Sequence, residues 1–183
     1  MGKKGRTMRM NHSMYGSRQA TIAALCAIVS VAFPFKLLGQ ATSSEQKQIR
    51  QDLGAETSVF TNYSSDFKSM GKNLTGDEYW LTVDLTTTAD STVQMLFASN
   101  TMLQMYDEVQ CTCKACEEDR ALVKDHFVTA LKVYSFQLDY SIDRNTQETT
   151  FAKTPAVADL ALKMTGDLRT AKQRVDAVLA ALR

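Results

Sequence analysis

The stretch Asp77-Glu-Tyr-Trp-Leu-Thr-Val-Asp-Leu-Thr-Thr-Thr88 decides how the whole chain is read. Its β-branched residues suit extended backbone, so a strand over 79–88 competes with a helix. The wider pattern favours the helix. Leu81, Leu85, Thr88, Thr92, Met95, Ser99, Met102, Tyr106 and Val109 recur in steps of four and three, the spacing of one helical face. Thr75 followed by Glu78 has the form of a capping box. Asp77 adds negative charge where a helix N-terminus favours it. The sequence therefore predicts a helix over 77–110.

That helix runs into Cys111-Thr-Cys-Lys-Ala-Cys116, which reads as the turn of a central helical hairpin. Glu117, Glu118 and Asp119 then supply the charge that opens a third helix, over 115–144. Its stripe is Val123, Phe127, Leu131, Tyr134, Leu138 and Ile142, widened by Val133, Phe136 and Tyr140. Residues 145–153 read as irregular. Upstream, Ile49, Leu53, Glu56, Phe60, Tyr63, Phe67, Met70 and Leu74 form a heptad seam with one polar member, Glu56. It predicts a helix over 43–71, with Ser43 and Gln46 placed for a capping box and Gly71 suited to its end. Gly54 inside this helix weakens it by up to about 1 kcal/mol relative to Ala.

Thr154-Pro155 opens the last helix, over 155–183, since threonine caps well and proline is tolerated at the first helical position. Its seam is unbroken: Val157, Ala161, Met164, Leu168, Ala171, Val175, Val178, Leu182. Four such rods with short connections make sequential neighbours antiparallel. The expected fold is all-α, an up-down-up-down antiparallel four-helix bundle over 42–183. Two prolines and eight glycines in 183 residues fit long helices better than a many-turned β fold.

The first forty residues differ from the rest. Lys3, Lys4, Arg6, Arg9 and Arg18 precede an apolar run over 20–35, with no acid before Glu45. Lys36, Gly39 and Ala41 follow. This is the pattern of a secretory signal peptide over 1–41, cleaved after Ala41. The competing reading is an uncleaved membrane anchor, although the run is shorter than the roughly 20 residues a spanning helix needs. Either reading exports the remainder to the periplasm or the exterior. Leu25 before Cys26 is too bulky for a lipoprotein signal.

Without residues 1–41 the chain has 15 basic and 20 acidic residues, a net charge of −5. An acidic exported domain is poorly suited to nucleic acid, whose binding relies on neutralising phosphates.

Cys111, Cys113 and Cys116 are the one dense cluster of reactive side chains after the leader. In an oxidising compartment they serve first as disulfide candidates, as Cys111–Cys116 or Cys113–Cys116. The odd thiol then points to a covalent dimer or a free reactive cysteine. Two sharper readings stand beside this. Cys113-Lys-Ala-Cys116 at a helix start has the form of a thiol-redox pair. Three thiolates could also ligate a soft metal such as Cu(I) or Zn, although no fourth ligand is evident.

His126 reads as a solvated residue beside Asp125, and Glu56 as a side chain turned outward or touching Thr88 or Ser99. Trp80 with Tyr79 reads as a core cap at one end, and the methionines as core filling. Asn62-Tyr-Ser and Asn73-Leu-Thr match the glycosylation pattern. With no phosphate loop, nucleophile elbow or haem motif, the expected function is non-enzymatic: an exported protein acting through protein contacts and carrying no cofactor. Thiol-redox or soft-metal chemistry is the alternative.

Overall fold

A computed structural model describes residues 44–109 and 113–182, all within one unit. The expected leader over 1–41, the Ser43 cap and Cys111 lie outside the described residues.

Four helices occupy the described chain: α1 Ser44–Gly71, α2 Gly76–Glu108, α3 Lys114–Thr149 and α4 Pro155–Ala181. The deciding stretch is helical throughout. The polar residues of α2 do not oppose the helix because they bond within it. Thr82 Oγ1 donates to the Tyr79 carbonyl, Thr87 to Val83, Thr92 to Thr88 and Ser99 to Met95. Each hydroxyl is thereby satisfied by the preceding turn, so Thr82, Thr92 and Ser99 can be buried without an orphaned group.

Helix pairing follows from which residues meet. Gln46 bonds to Asp107 and Lys68 to Asp90, so numbering falls along α2 as it rises along α1. Asn145 meets Thr165 and Ser135 meets Asp176, so α3 and α4 also run antiparallel. These two pairings are the most extensive; α4 additionally touches α1 and α2, and α2 touches α3. The close hairpins are therefore the outer two, and not the one joined through the cysteine stretch.

The seams predicted for α1, α2 and α4 supply the core. Leu53, Phe60, Phe67, Leu85, Met164 and Leu168 of those seams are fully buried, and so are Leu96 and Leu103, which lie beside the α2 seam. Burial is uneven between helices. Twelve residues of α2 are buried against four of α3, although α3 is the longer. The four are Leu131, Tyr134, Leu138 and Asn145, and none lies between Lys114 and Ala130.

Three expectations are corrected. Val133, Phe136 and Tyr140 do not widen the buried stripe of α3; they are 41%, 73% and 58% exposed. At about 100° per residue, Phe136 lies some 200° from both Tyr134 and Leu138, and so points to the opposite side.

Residues 145–149 are helical and not irregular. Asn145 is fully buried and donates to the Ala161 carbonyl and to Thr165 Oγ1, while Thr149 Oγ1 returns to the Asn145 carbonyl. These bonds carry the helix one turn further.

Thr75 and Glu78 do not form a capping box. Thr75 makes no side-chain cap bond, and Glu78 instead accepts the backbone N–H groups of Lys153 and Thr154, about 75 positions away. The Thr154 side-chain hydroxyl first, and then these backbone N–H groups, hold the Glu78 carboxyl below the usual carboxylate range.

The glycines give a test of local packing. An added Cβ meets nothing within 4 Å at Gly54 or Gly166, but at Gly71 it would lie 2.8 Å from Thr82 Oγ1. Gly76 enters α2 at φ +62, a left-handed conformation that favours glycine. Gly54→Ala and Gly166→Ala are each expected to stabilise by about 0.5–1 kcal/mol through helix propensity. Gly71→Ala is expected to destabilise by about 1–3 kcal/mol through overpacking. Urea unfolding followed by circular dichroism reads all three; a common sign would contradict the packing described.

Candidate functional site

Three places hold the side chains singled out by the sequence. The first is the start of α3. Cys113 is its N-cap residue, in extended backbone, exposed and with a free thiol. Its carbonyl accepts the Glu117 N–H at 3.2 Å. Cys116, one turn on, is disulfide-bonded. An oxidised Cys116 offers no thiolate to a metal. Among the described residues, no group of three or more His, Cys, Asp or Glu is arranged to hold an ion.

The same end carries Arg120 stacked over the Tyr106 ring at 4.5 Å, and Asp107, which accepts Gln46 Nε2 at 2.7 Å. Burial raises the Asp107 carboxyl above its ordinary range, against the pull of Arg50 and Arg120.

The second place is the α1–α4 face. Glu56 is half-buried there and not turned outward, and it faces α4 instead of Thr88 or Ser99. Tyr63 Oη donates to Asp167 Oδ2, and Arg174 Nη1 pairs with Asp52 Oδ2 at 2.8 Å. Burial, the Asp167 hydrogen bond and the Asp167 charge raise the Tyr63 hydroxyl above its usual range. Burial first, and Asp167 second, raise Glu56, while Arg174 lowers it.

This arrangement has a pH consequence. Because the folded-state value of Glu56 lies above its unfolded value, the native state binds more protons between the two, and stability falls as pH rises through that window. Glu56→Gln is therefore expected to raise the urea midpoint at pH 7 and to flatten the slope between mild acid and neutrality. The gain is less than about 1 kcal/mol, because the half-buried group keeps part of its contact with solvent. An unchanged slope in the variant would refute the assignment.

The third place is the outside of α3. Leu122, His126, Thr129, Val133, Phe136 and Tyr140 recur in steps of four and three, and every one is exposed. This is a second heptad stripe, on the side opposite the buried one. Reading the helix as a single widened stripe concealed it. The signal was present in the two-residue offset between Tyr134 and Phe136.

The remaining residues are placed as follows. Trp80 packs edge-to-face on Tyr79 at 5.2 Å, but is 63% exposed and caps no core. Met95, Met102 and Met164 are buried as core filling. Asn62 and Asn73 are both exposed, Asn62 within α1 and Asn73 in the connection to α2.

An open groove of about 620 Å³ runs between Glu45, Gln46 and Ile49 of α1 and Ala177, Ala180 and Ala181 of α4. Among the described residues, its lining brings no pair of ionisable groups together. Among the described residues, no helix is long and apolar enough to cross a membrane.

No protein-family model matches the chain, and neither curated proteins nor solved structures provide a significant match.

Proposed function

We propose that residues 42–183 form an up-down-up-down four-helix bundle, exported behind the leader at 1–41, that works through protein contacts and not through catalysis. The bundle topology is supported by the two other helix pairs. Tyr63 meets Asp167 and Asp52 meets Arg174, while Asp84 meets Arg144 and Tyr106 meets Arg120; in both sets numbering falls on one helix as it rises on the other. Export rests on the basic, apolar and small-residue order of the leader, and if the 20–35 segment is retained the bundle is held at the membrane. The acidic balance of the exported part disfavours nucleic acid as its partner.

One observation carries the functional reading: the exposed apolar stripe of α3. A soluble surface tolerates scattered apolar residues, but four large ones aligned on one helix face mark a contact surface. The test is a photoreactive phenylalanine analogue at position 136 in the full chain, irradiated in intact exporting cells. A discrete protein adduct is the expected result. Lipid adducts alone, or no adduct, would overturn the reading.

A second reading is favoured by Cys113, a free thiol one turn from a disulfide-bonded cysteine. Such a pair can exchange: the Cys113 thiolate attacks a sulfur of the existing bond, one new S–S bond forms, and the displaced sulfur leaves as thiolate. Thiol titration of the native protein separates this from a structural staple, since an unreactive Cys113 removes it. Non-reducing against reducing gels read a Cys113-linked covalent dimer; identical monomer bands count against that form.

A further inference from the structure

Resting on the protein-contact reading, we propose that the outer stripe of α3 is a self-association surface that takes the α3 of a second copy of this chain, antiparallel, in one register. The stripe has the seam spacing that packs helices side by side, and it is solvated over residues 122–147. Its flanks then choose the occupant. Of the positions beside the seam, Asp125, Lys132 and Asp139 are the charged ones on one edge.

An antiparallel pair centred on Leu131 sets Lys132 against the partner's Lys132 and Asp125 against the partner's Asp139, which repel. Moving the centre by half a heptad, to between Tyr134 and Ser135, changes every one of these meetings. Lys132 then faces the partner's Asp139, and His126 faces the partner's Asp143. By two-fold symmetry each pair occurs twice. In the same register Phe136 packs on the partner's Val133, and Tyr140 lies across the partner's Thr129. Unlike charges flanking an apolar seam specify such a pairing, and like charges reject the neighbouring register.

The groups required are accessible. Lys132 and Asp143 are exposed, and Asp139, although 3.6 Å from Lys172, keeps a side chain 58% exposed. A parallel, in-register pair brings Lys132 to the partner's uncharged Gln137 and sets His126 and Asp143 against their own copies; its one opposite-charge meeting, Asp139 with the partner's Arg144, competes with the Asp84 and Glu148 carboxylates that already hold Arg144. The antiparallel contact spans about 39 Å of helix. It leaves the two Cys113 thiols about 60 Å apart, so the dimer is not a disulfide-linked one.

The experiment is sedimentation velocity on the full chain in mild detergent at low salt, with reductant present. A reductant-resistant dimer is expected. Phe136→Asp is expected to give monomer with an unchanged helical spectrum, since the side chain supports no core.

Lys132→Glu and Asp139→Lys should each weaken the dimer about tenfold or more, and the double variant should recover most of that loss, the change from opposite to like charge costing over about 1.4 kcal/mol. A monomeric wild type, a dimer indifferent to Phe136→Asp (one held by residues 20–35 instead), or a double variant no better than the singles would overturn the proposal. A monomeric wild type that still gives a protein adduct at position 136 overturns self-association alone and leaves the contact surface to a different protein.

Discussion

Phe60→Ala is expected to lower the unfolding free energy by about 3–5 kcal/mol, while Phe136→Ala changes it by no more than about 0.5 kcal/mol. The two residues are the same side chain on heptad-spaced stripes of long helices. Phe60 is fully buried, its ring 5.7 Å from that of Tyr63, which in turn lies 6.4 Å from Phe67. Removing the Phe60 ring leaves a cavity that neighbours on a stiff helix cannot close, and it loosens Tyr63, whose hydroxyl links α1 to Asp167 of α4. Domains of this size are stable by about 5–15 kcal/mol, so the variant loses a large share of the total. Phe136, 73% exposed, has little to lose. Urea unfolding of both variants beside wild type checks the pair; similar losses would mean that the outer stripe of α3 is part of the core.

Asn145→Asp is expected to cost about 3 kcal/mol or more at pH 7, and to recover most of that loss in acid. The substitution changes one NH2 group to oxygen, so it leaves no cavity and isolates the effect of charge. Asn145 is fully buried between α3 and α4. Its amide donates to the Ala161 carbonyl at 2.8 Å and to Thr165 Oγ1, and its Oδ1 has no hydrogen-bond partner. A carboxylate in that place meets the Ala161 carbonyl oxygen with no proton between them. Burial raises the new carboxyl's pKa above its unfolded value. Stability is therefore kept below the unfolded value and lost as pH rises through the folded one. Thermal or urea unfolding across pH 4–8 reads it. A loss independent of pH would show that packing, and not charge, sets the cost.

The spacing of apolar residues carried most of the fold into view. Leu53, Phe60 and Phe67 of α1, Leu85 and Met95 of α2, and the whole α4 seam are buried where the four-three steps put them. Periodicity suffices there because each of those helices turns one continuous face inward. It fails for α3, where two stripes about 200° apart share one helix and a linear reading merges them. It also fails for contacts made at long range. Glu78 and Asn145 looked like a capping residue and a loop residue because local rules weigh only neighbours within a turn. Their partners, Thr154 and Thr165, come from the other side of a turn or of the molecule. Glu56 was misplaced for a related reason: its surroundings are set by Asp167 and Arg174, which spacing on α1 cannot reveal. The state of Cys113 likewise follows from which sulfur Cys116 takes, a matter of three-dimensional approach more than of sequence distance.

The lopsided burial of α3 also dictates where the molecule breathes. Amide protons from Lys114 to Ala130 are held by backbone bonds with no fully buried side chain behind them, whereas those from Leu131 to Thr149 sit over the contact with α4. Opening of the leading half need not disturb the rest, so its deuterium uptake should run ahead of the trailing half by orders of magnitude. A protease admitted briefly would cut there first, leaving the sulfur-bearing end joined to α2 while the trailing turns remained folded.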